Sequence, residues 1–139
     1  MITRRAITIL ASLTLLCGVG ATFAVAAPSG TFKGKTKGET DVKIKVKNNR
    51  ITKFESSMYV TCYTGGLIFS YAFPPAGQKG KTIKIKGDGS FKVVFKADPR
   101  VSLNDDKRTL KGKFKGGKVS GSMKLEGLCE GDTTFKAHK

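Results

Sequence analysis

Lysine alternates with apolar β-formers in three stretches: Val42-Lys43-Ile44-Lys45-Val46-Lys47, Ile83-Lys84-Ile85-Lys86 and Leu110-Lys111-Gly112-Lys113-Phe114-Lys115. A β-strand turns successive side chains to opposite faces, so each stretch buries one face and holds ammonium groups in water on the other. The pattern calls for antiparallel β-structure with a wet face and a surface lattice of positive charge. It names no reaction and no ligand.

Glycine and paired polar residues punctuate the chain about every 8 to 12 residues, the spacing of an all-β sandwich or barrel. Strands are expected near 31–36, 40–47, 50–62, 67–73, 81–86, 90–97, 108–115, 118–126 and 132–137. Asn48-Asn49 is a two-residue turn that tolerates positive φ, and Gly87-Asp88-Gly89 and Gly116-Gly117 turn by lacking a Cβ. The expected fold is all-β: an antiparallel meander forming a small barrel or a two-sheet sandwich with one disulfide. Strand periodicity is the same in either arrangement. Even spacing puts Phe54, Met58, Val60 and Cys62 on one face. The core is expected from Phe32, Val42, Ile44, Val46, Ile51, Phe54, Val60, Ile83, Ile85, Phe91, Val93, Phe95, Leu110, Phe114, Val119, Met123, Leu125 and Phe135. Leu67 to Phe73 is apolar on both faces, which predicts a central or covered strand. Alternatively its second face lines a cavity or a contact surface, with Leu67, Phe69, Tyr71 and Phe73 around an apolar ligand. Gly30-Thr31-Phe32-Lys33, Gly89-Ser90-Phe91-Lys92 and Thr134-Phe135-Lys136 echo one another.

Residues 1–26 have the three parts of a secretory signal. Arg4 and Arg5 precede an uncharged apolar run from Ala6 to Val25, and Ala24-Val25-Ala26 gives the small-x-small cleavage pattern. An uncleaved anchor is the competing reading, because the run is long enough to span a bilayer. Cleavage after Ala26 leaves a single β domain, 27–139, in a secreted or cell-envelope location. It also removes Cys17, so that Cys62 and Cys129 remain and read as one disulfide of an exported domain.

Loss of Arg4 and Arg5 with the leader leaves 24 of the 26 Lys and Arg against all 10 acids, a net charge of +14. Such a charge speaks to solubility and partners rather than to fold. It points to an anionic wall polymer or a membrane surface. Only three of these cations are arginines, Arg50, Arg100 and Arg108. Lysine is a point charge without the bidentate fork of arginine, so diffuse attraction is favoured over specific phosphate or nucleic-acid recognition. The bland alternative is a solvated surface whose lysines block strand-to-strand aggregation.

Motifs for catalysis are missing. Gly34-Lys35-Thr36 and Gly80-Lys81-Thr82 share the end of a phosphate-binding loop, but that loop needs a following helix, and both sit in strand-like surroundings. His138 is the only histidine and lies beside the terminus, where no triad can be positioned. The acids fall mostly at turns, where carboxylates bond their own backbone. Asp98, Asn104, Asp105 and Asp106 lack the glycine and bidentate glutamate of a calcium loop. The cysteines do not form Cys-x-x-Cys. No enzyme activity, cofactor or metal is expected. For nucleic-acid stacking the candidates are Tyr59, Tyr63 and Tyr71, with ordinary sheet packing as the alternative.

The string Gly30-x-Phe32-x-Gly34-Lys35-Thr36-x-Gly38, then Arg50-Ile51-x-x-Phe54, Cys62, Val119-x-Gly121 and Cys129, resembles small secreted β-rich proteins of actinobacteria. The resemblance implies an exported β domain whose two cysteines pair, and it carries over no catalytic residue. The expected function is that of a non-enzymatic module binding anionic envelope polymers or lipid head groups through Lys43, Lys45, Lys47, Lys84, Lys86, Lys111, Lys113 and Lys115. A small-barrel carrier of an apolar ligand and a ligand-free structural surface protein are the alternatives.

Overall fold

The computed structural model describes residues 26–96 and 106–139. The expected secretory leader up to Val25 and the segment containing Asp98, Asn104 and Asp105 lie outside the described residues. Nine strands follow in order, β1 (Gly30–Thr36), β2 (Asp41–Lys47), β3 (Arg50–Cys62), β4 (Gly65–Phe73), β5 (Ile83–Lys84), β6 (Ser90–Lys96), β7 (Lys107–Lys115), β8 (Lys118–Glu126) and β9 (Cys129–His138). All pairings are antiparallel, in the order β4-β3-β2-β1-β9-β8-β7-β6, with β5 beside β3.

One further pairing closes the sheet. β3 lies against β2 from Arg50 to Ser56, overruns the β1–β2 hairpin, and meets β9 through Thr61↔Glu130 and Cys62↔Cys129. β3, β2, β1 and β9 thus form a small four-stranded barrel, extended by β4 on one side and by β8, β7 and β6 on the other. The Cys62–Cys129 disulfide seals the closing pair. The turn of the overrun hairpin is fastened by a hydroxyl chain. Thr40 Oγ1 donates to the Ser57 carbonyl, and Thr36 Oγ1 and Thr40 Oγ1 lie 2.7 Å apart.

The alternation read in the sequence becomes an apolar interior. β2 alternates buried Val42, Ile44 and Val46 with exposed Lys43, Lys45 and Lys47. β3 breaks strict alternation, because Ile51 and Phe54 are both fully buried although three residues apart. The register shift between Lys45 and Val46 explains this: Val46 pairs with Ile51 but Lys45 pairs with Lys53, leaving Thr52 as the extra residue of a bulge. Asn48 and Asn49 turn β2 into β3 with φ of 51° and 57°, the left-handed region a two-residue hairpin requires. Phenylalanines tie the layers together, Phe32–Phe114 and Phe73–Phe95 edge-on and Phe54–Phe135 tilted. Phe32 packs on Phe114 at 5.1 Å, Phe54 on Phe135 at 5.4 Å and Phe73 on Phe95 at 5.2 Å. Each such pair adds about 0.5–1.5 kcal/mol beyond the area it buries.

Several expectations are corrected. Val93 and Phe95 are only partly buried, because β6 is the last strand of the chain of pairings. The strand expected at 81–86 shrinks to Ile83–Lys84, since Ile85 and Lys86 spend their N–H groups on the Asn49 and Ser90 carbonyls. Cys129 opens the final strand, which begins earlier than 132. β4 is neither central nor covered; it ends the sheet, with β3 as its only hydrogen-bonded strand among the described residues. Its apolar stretch divides into buried Tyr71 and Phe73, half-buried Phe69, and exposed Leu67 and Ile68.

Barrel closure should dominate stability. The disulfide spans 67 residues, and the loop-entropy estimate makes Cys62→Ala with Cys129→Ala cost up to about 4 kcal/mol in urea unfolding. Where β1 crosses β9, a Cβ on Gly34 would fall on the Lys136 carbonyl. Gly34→Ala should therefore lose about 2–3 kcal/mol by forcing the two backbones apart.

Candidate anion-binding groove

Cross-strand register decides which of the dispersed lysines meet. On the outer face of β6, β7, β8 and β9 one row runs Ser90, Lys113, Ser120, Lys136, and continues to Lys35 on β1. The next outward row runs Lys92, Lys111, Ser122, Thr134. Between them lies an inward-facing row, Phe91, Gly112, Gly121, Phe135. The two phenylalanine rings fill the inner space the glycines leave. A Cβ on Gly112 would sit 2.7 Å from Phe91 Cζ, and one on Gly121 would sit 2.6 Å from Phe135 Cζ. Bare backbone braced from beneath by two rings thus makes the floor.

Above that floor is an open groove of about 720 Å³. Lys86, Lys92, Lys111, Lys113 and Lys136 line it with Ser90, Ser120, Ser122 and Thr134, and no carboxylate is among its lining residues. The short hydroxyl side chains leave the middle of the volume free, and the lysines stand around it. Ser90-Phe91-Lys92 on β6 and Thr134-Phe135-Lys136 on β9 run antiparallel on either side of the groove, so Lys92 and Lys136 fall in different rows at its opposite sides. Lys86 reaches the groove through the turn into β6, where the Lys86 N–H donates to the Ser90 carbonyl at 2.8 Å and the Gly89 N–H to the Lys86 carbonyl at 2.9 Å.

Asp88 is the nearby acid. Its Oδ1 accepts from Ser90 Oγ at 2.6 Å and from the Ser90 N–H at 2.9 Å. Those bonds, then the charges of Lys113 and Lys86, hold its carboxyl below the usual range. Elsewhere the carboxylates neutralise other lysines: Asp41 pairs with Lys35 at 2.8 Å, Glu55 with Lys53 at 2.6 Å and Glu126 with Lys124 at 2.8 Å.

Of the eight lysines expected to carry binding, the fold brings together three, Lys86, Lys111 and Lys113. Lys84 lines a neighbouring cleft of about 460 Å³ shared with Lys86 and Lys92. Lys43 and Lys115 stand in a separate row with Lys33, His138 and Lys118. Lys45 and Lys47 lie on β2 away from the groove, with Lys45 opposite Lys53 and Lys47 opposite Arg50. Sequence reasoning missed Lys92, Lys136 and the four hydroxyls, because neither lysine belongs to an alternating lysine run. The signal was present in the echo of Ser90-Phe91-Lys92 and Thr134-Phe135-Lys136, the two segments that flank the groove.

Leu67, Phe69, Tyr71 and Phe73 do not line the groove or the neighbouring clefts. Tyr71 and Phe73 are packed on Phe95, and the Arg108 guanidinium lies 4.8 Å from the Phe69 ring centre. Burial pushes the Tyr71 phenol far upward, and its hydroxyl has no hydrogen-bond partner among the described residues. Tyr59 and Tyr63 are exposed beside the disulfide. Among the described residues no three His, Cys, Asp or Glu gather as a metal cluster. Comparison with protein-family models, curated proteins and solved structures finds no match to this chain.

Two substitutions should move binding of a linear polyphosphate in opposite directions. Asp88→Asn keeps an acceptor for the Ser90 N–H and removes the negative charge beside Lys86 and Lys113, so titration calorimetry should show tighter binding. Lys92→Glu converts the directly opposed Lys92–Lys111 pair into an ion pair, so it should stabilise the free protein by about 0.2–1 kcal/mol while weakening polyphosphate binding several-fold.

Proposed function

We propose that this protein is an exported, non-enzymatic module that holds a linear polyanion of the cell envelope across β6 to β9. The observation that carries the reading is convergence: five lysines and four hydroxyls line one groove that contains no carboxylate. A surface charged only for solubility gains nothing from setting lysines against each other. Yet Lys92 opposes Lys111, Lys33 opposes Lys43 and Lys115 opposes Lys118, and like charges directly opposite destabilise a sheet. A bound polyanion removes that repulsion. A chain fits the site better than a bilayer, because the groove is concave and its two aromatic residues, Phe91 and Phe135, are buried beneath the floor. The disulfide suits an oxidising, extracellular compartment.

Binding of the oxidised protein to isolated cell envelope, and to polyphosphate as a defined polyanion, tests the reading. Both should be reversed by salt. Lys92→Gln with Lys111→Gln, Lys113→Gln and Lys136→Gln should lower the slope of log affinity against log salt by roughly 3, by analogy with counterion release from nucleic acids. Removing comparable charge from β2 and β1 with Lys33→Gln, Lys43→Gln, Lys45→Gln and Lys47→Gln should lower it much less. Equal losses from the two sets would reduce the groove to one part of a diffuse field, and absence of binding at low salt would reject the reading altogether.

A further inference from the structure

β4 stands apart from the other eight strands. Its sequence, Gly65-Gly66-Leu67-Ile68-Phe69-Ser70-Tyr71-Ala72-Phe73, has no charged side chain, whereas every other strand carries at least one. It is also an edge, since its second row of backbone groups pairs with no strand among the described residues. Proteins usually protect an edge of this length with lysine, proline or a bulge. Here every other strand carries at least one lysine, the other end strand β6 included, and β4 carries none. The outer face beside this edge is apolar as well. Ile68 is 69% exposed and stands opposite Tyr59, which is 68% exposed.

We infer that β4 is a dimerisation edge, pairing antiparallel with β4 of a second copy about a two-fold axis. Charge selects the occupant. With a formal net charge of +16 on the chain, +14 once the two arginines of the leader are set aside, two copies repel each other over most of their surfaces. The neutral strip of β4 and the adjoining Tyr59 and Thr61 is where two backbones can approach without opposing lysines. The nearest outward cation on β3, Lys53, is already paired with Glu55. An edge strand is self-complementary under a two-fold axis, because each copy offers the same alternating donors and acceptors to the other. Nine residues give about 30 Å of ladder, with the exposed apolar side chains Leu67 and Ile68 brought together on its two faces. No β4 residue lines the groove over β6 to β9, so pairing through β4 uses none of its lysines and the dimer presents two grooves.

Salt makes this contact separable from polyanion binding. Screening weakens the repulsion between copies, so added salt should strengthen the dimer while it loosens a polyanion from the groove. Sedimentation equilibrium of the purified, oxidised protein at low and high salt is the test. The expected result is a concentration-dependent dimer, tighter at high salt, with new amide-exchange protection at alternate residues of β4. Ile68→Lys and Ser70→Lys should each weaken dimerisation at least tenfold, with circular dichroism unchanged because both side chains are solvent-exposed. Leu128→Lys and Val94→Lys, at exposed apolar positions off this edge, should leave the dimer intact. A monomer at every concentration and salt would overturn the inference. So would a dimer that survives Ile68→Lys and Ser70→Lys, or one lost equally with Leu128→Lys.

Discussion

The pairing of β3 with β9 is the contact on which the architecture rests. Without it the strands form an open ribbon with β4 and β6 as its ends and no enclosed interior for Phe32, Ile44 and Phe54. With it, four strands wrap around those side chains, and the remaining strands are carried as extensions of a closed frame. The pairing is short, two residues on each strand, and joins positions far apart in the chain. Non-local pairing of this kind costs loop entropy before it returns contacts. The disulfide at the same two positions removes that cost in the oxidised chain, and the Thr36, Thr40 and Ser57 hydrogen bonds hold the overrun hairpin against it.

Closure also decides where the charge goes. β9 pairs with β1 over Thr36↔Phe135 to Lys33↔His138 and with β8 along nearly its whole length. The outer faces of β2, β1, β9, β8 and β7 therefore form one continuous surface. Within it the lysines are unequally placed. Some face acids across or along strands, as Lys35 and Lys53 do, and these pairs are exposed and worth little. Others face each other, as Lys92 and Lys111 do in the groove, where Lys113 faces Ser90 and Ser120. The backbone floor that Gly112 and Gly121 leave bare is backed from beneath by the rings of Phe91 and Phe135. β4 shows the inverse distribution: an uncharged edge in a cationic molecule. The fold thus keeps its most cationic groove and its neutral edge on different strands.

Much of the fold was legible in the residues. Alternation in Val42 to Lys47 placed a strand and chose its buried face; Asn48-Asn49 placed the hairpin; and the expected core is the core observed, apart from partial exposure of Val93 and Phe95 and the addition of Ala27, Met58, Tyr71, Phe73 and Ala137. What misled was the apolar run at Leu67 to Phe73. Hydrophobicity on both faces reports what lies above and below a strand and says nothing about what lies beside it, so an edge strand was expected to be central or covered, or else to line a cavity or a contact surface. The candidate site was legible only in part. Lys111 and Lys113 belong to an obvious alternating stretch, but Lys92 and Lys136 are isolated, and only the repeated Phe-Lys dipeptide hinted at them.

The sequence by itself determined the local physics: which segments extend, which face of each is apolar, where the chain turns, that two cysteines are free to pair, and that the surface is strongly cationic. Those properties follow from each residue and its near neighbours. The tertiary structure alone decided barrel over sandwich, the edge position of β4 and the membership of the groove. Each of these depends on register between strands separated by tens of residues. Register is set jointly by the β3 bulge, by the glycines that allow close approach, and by the packing of aromatic rings, none of which a period of two can specify.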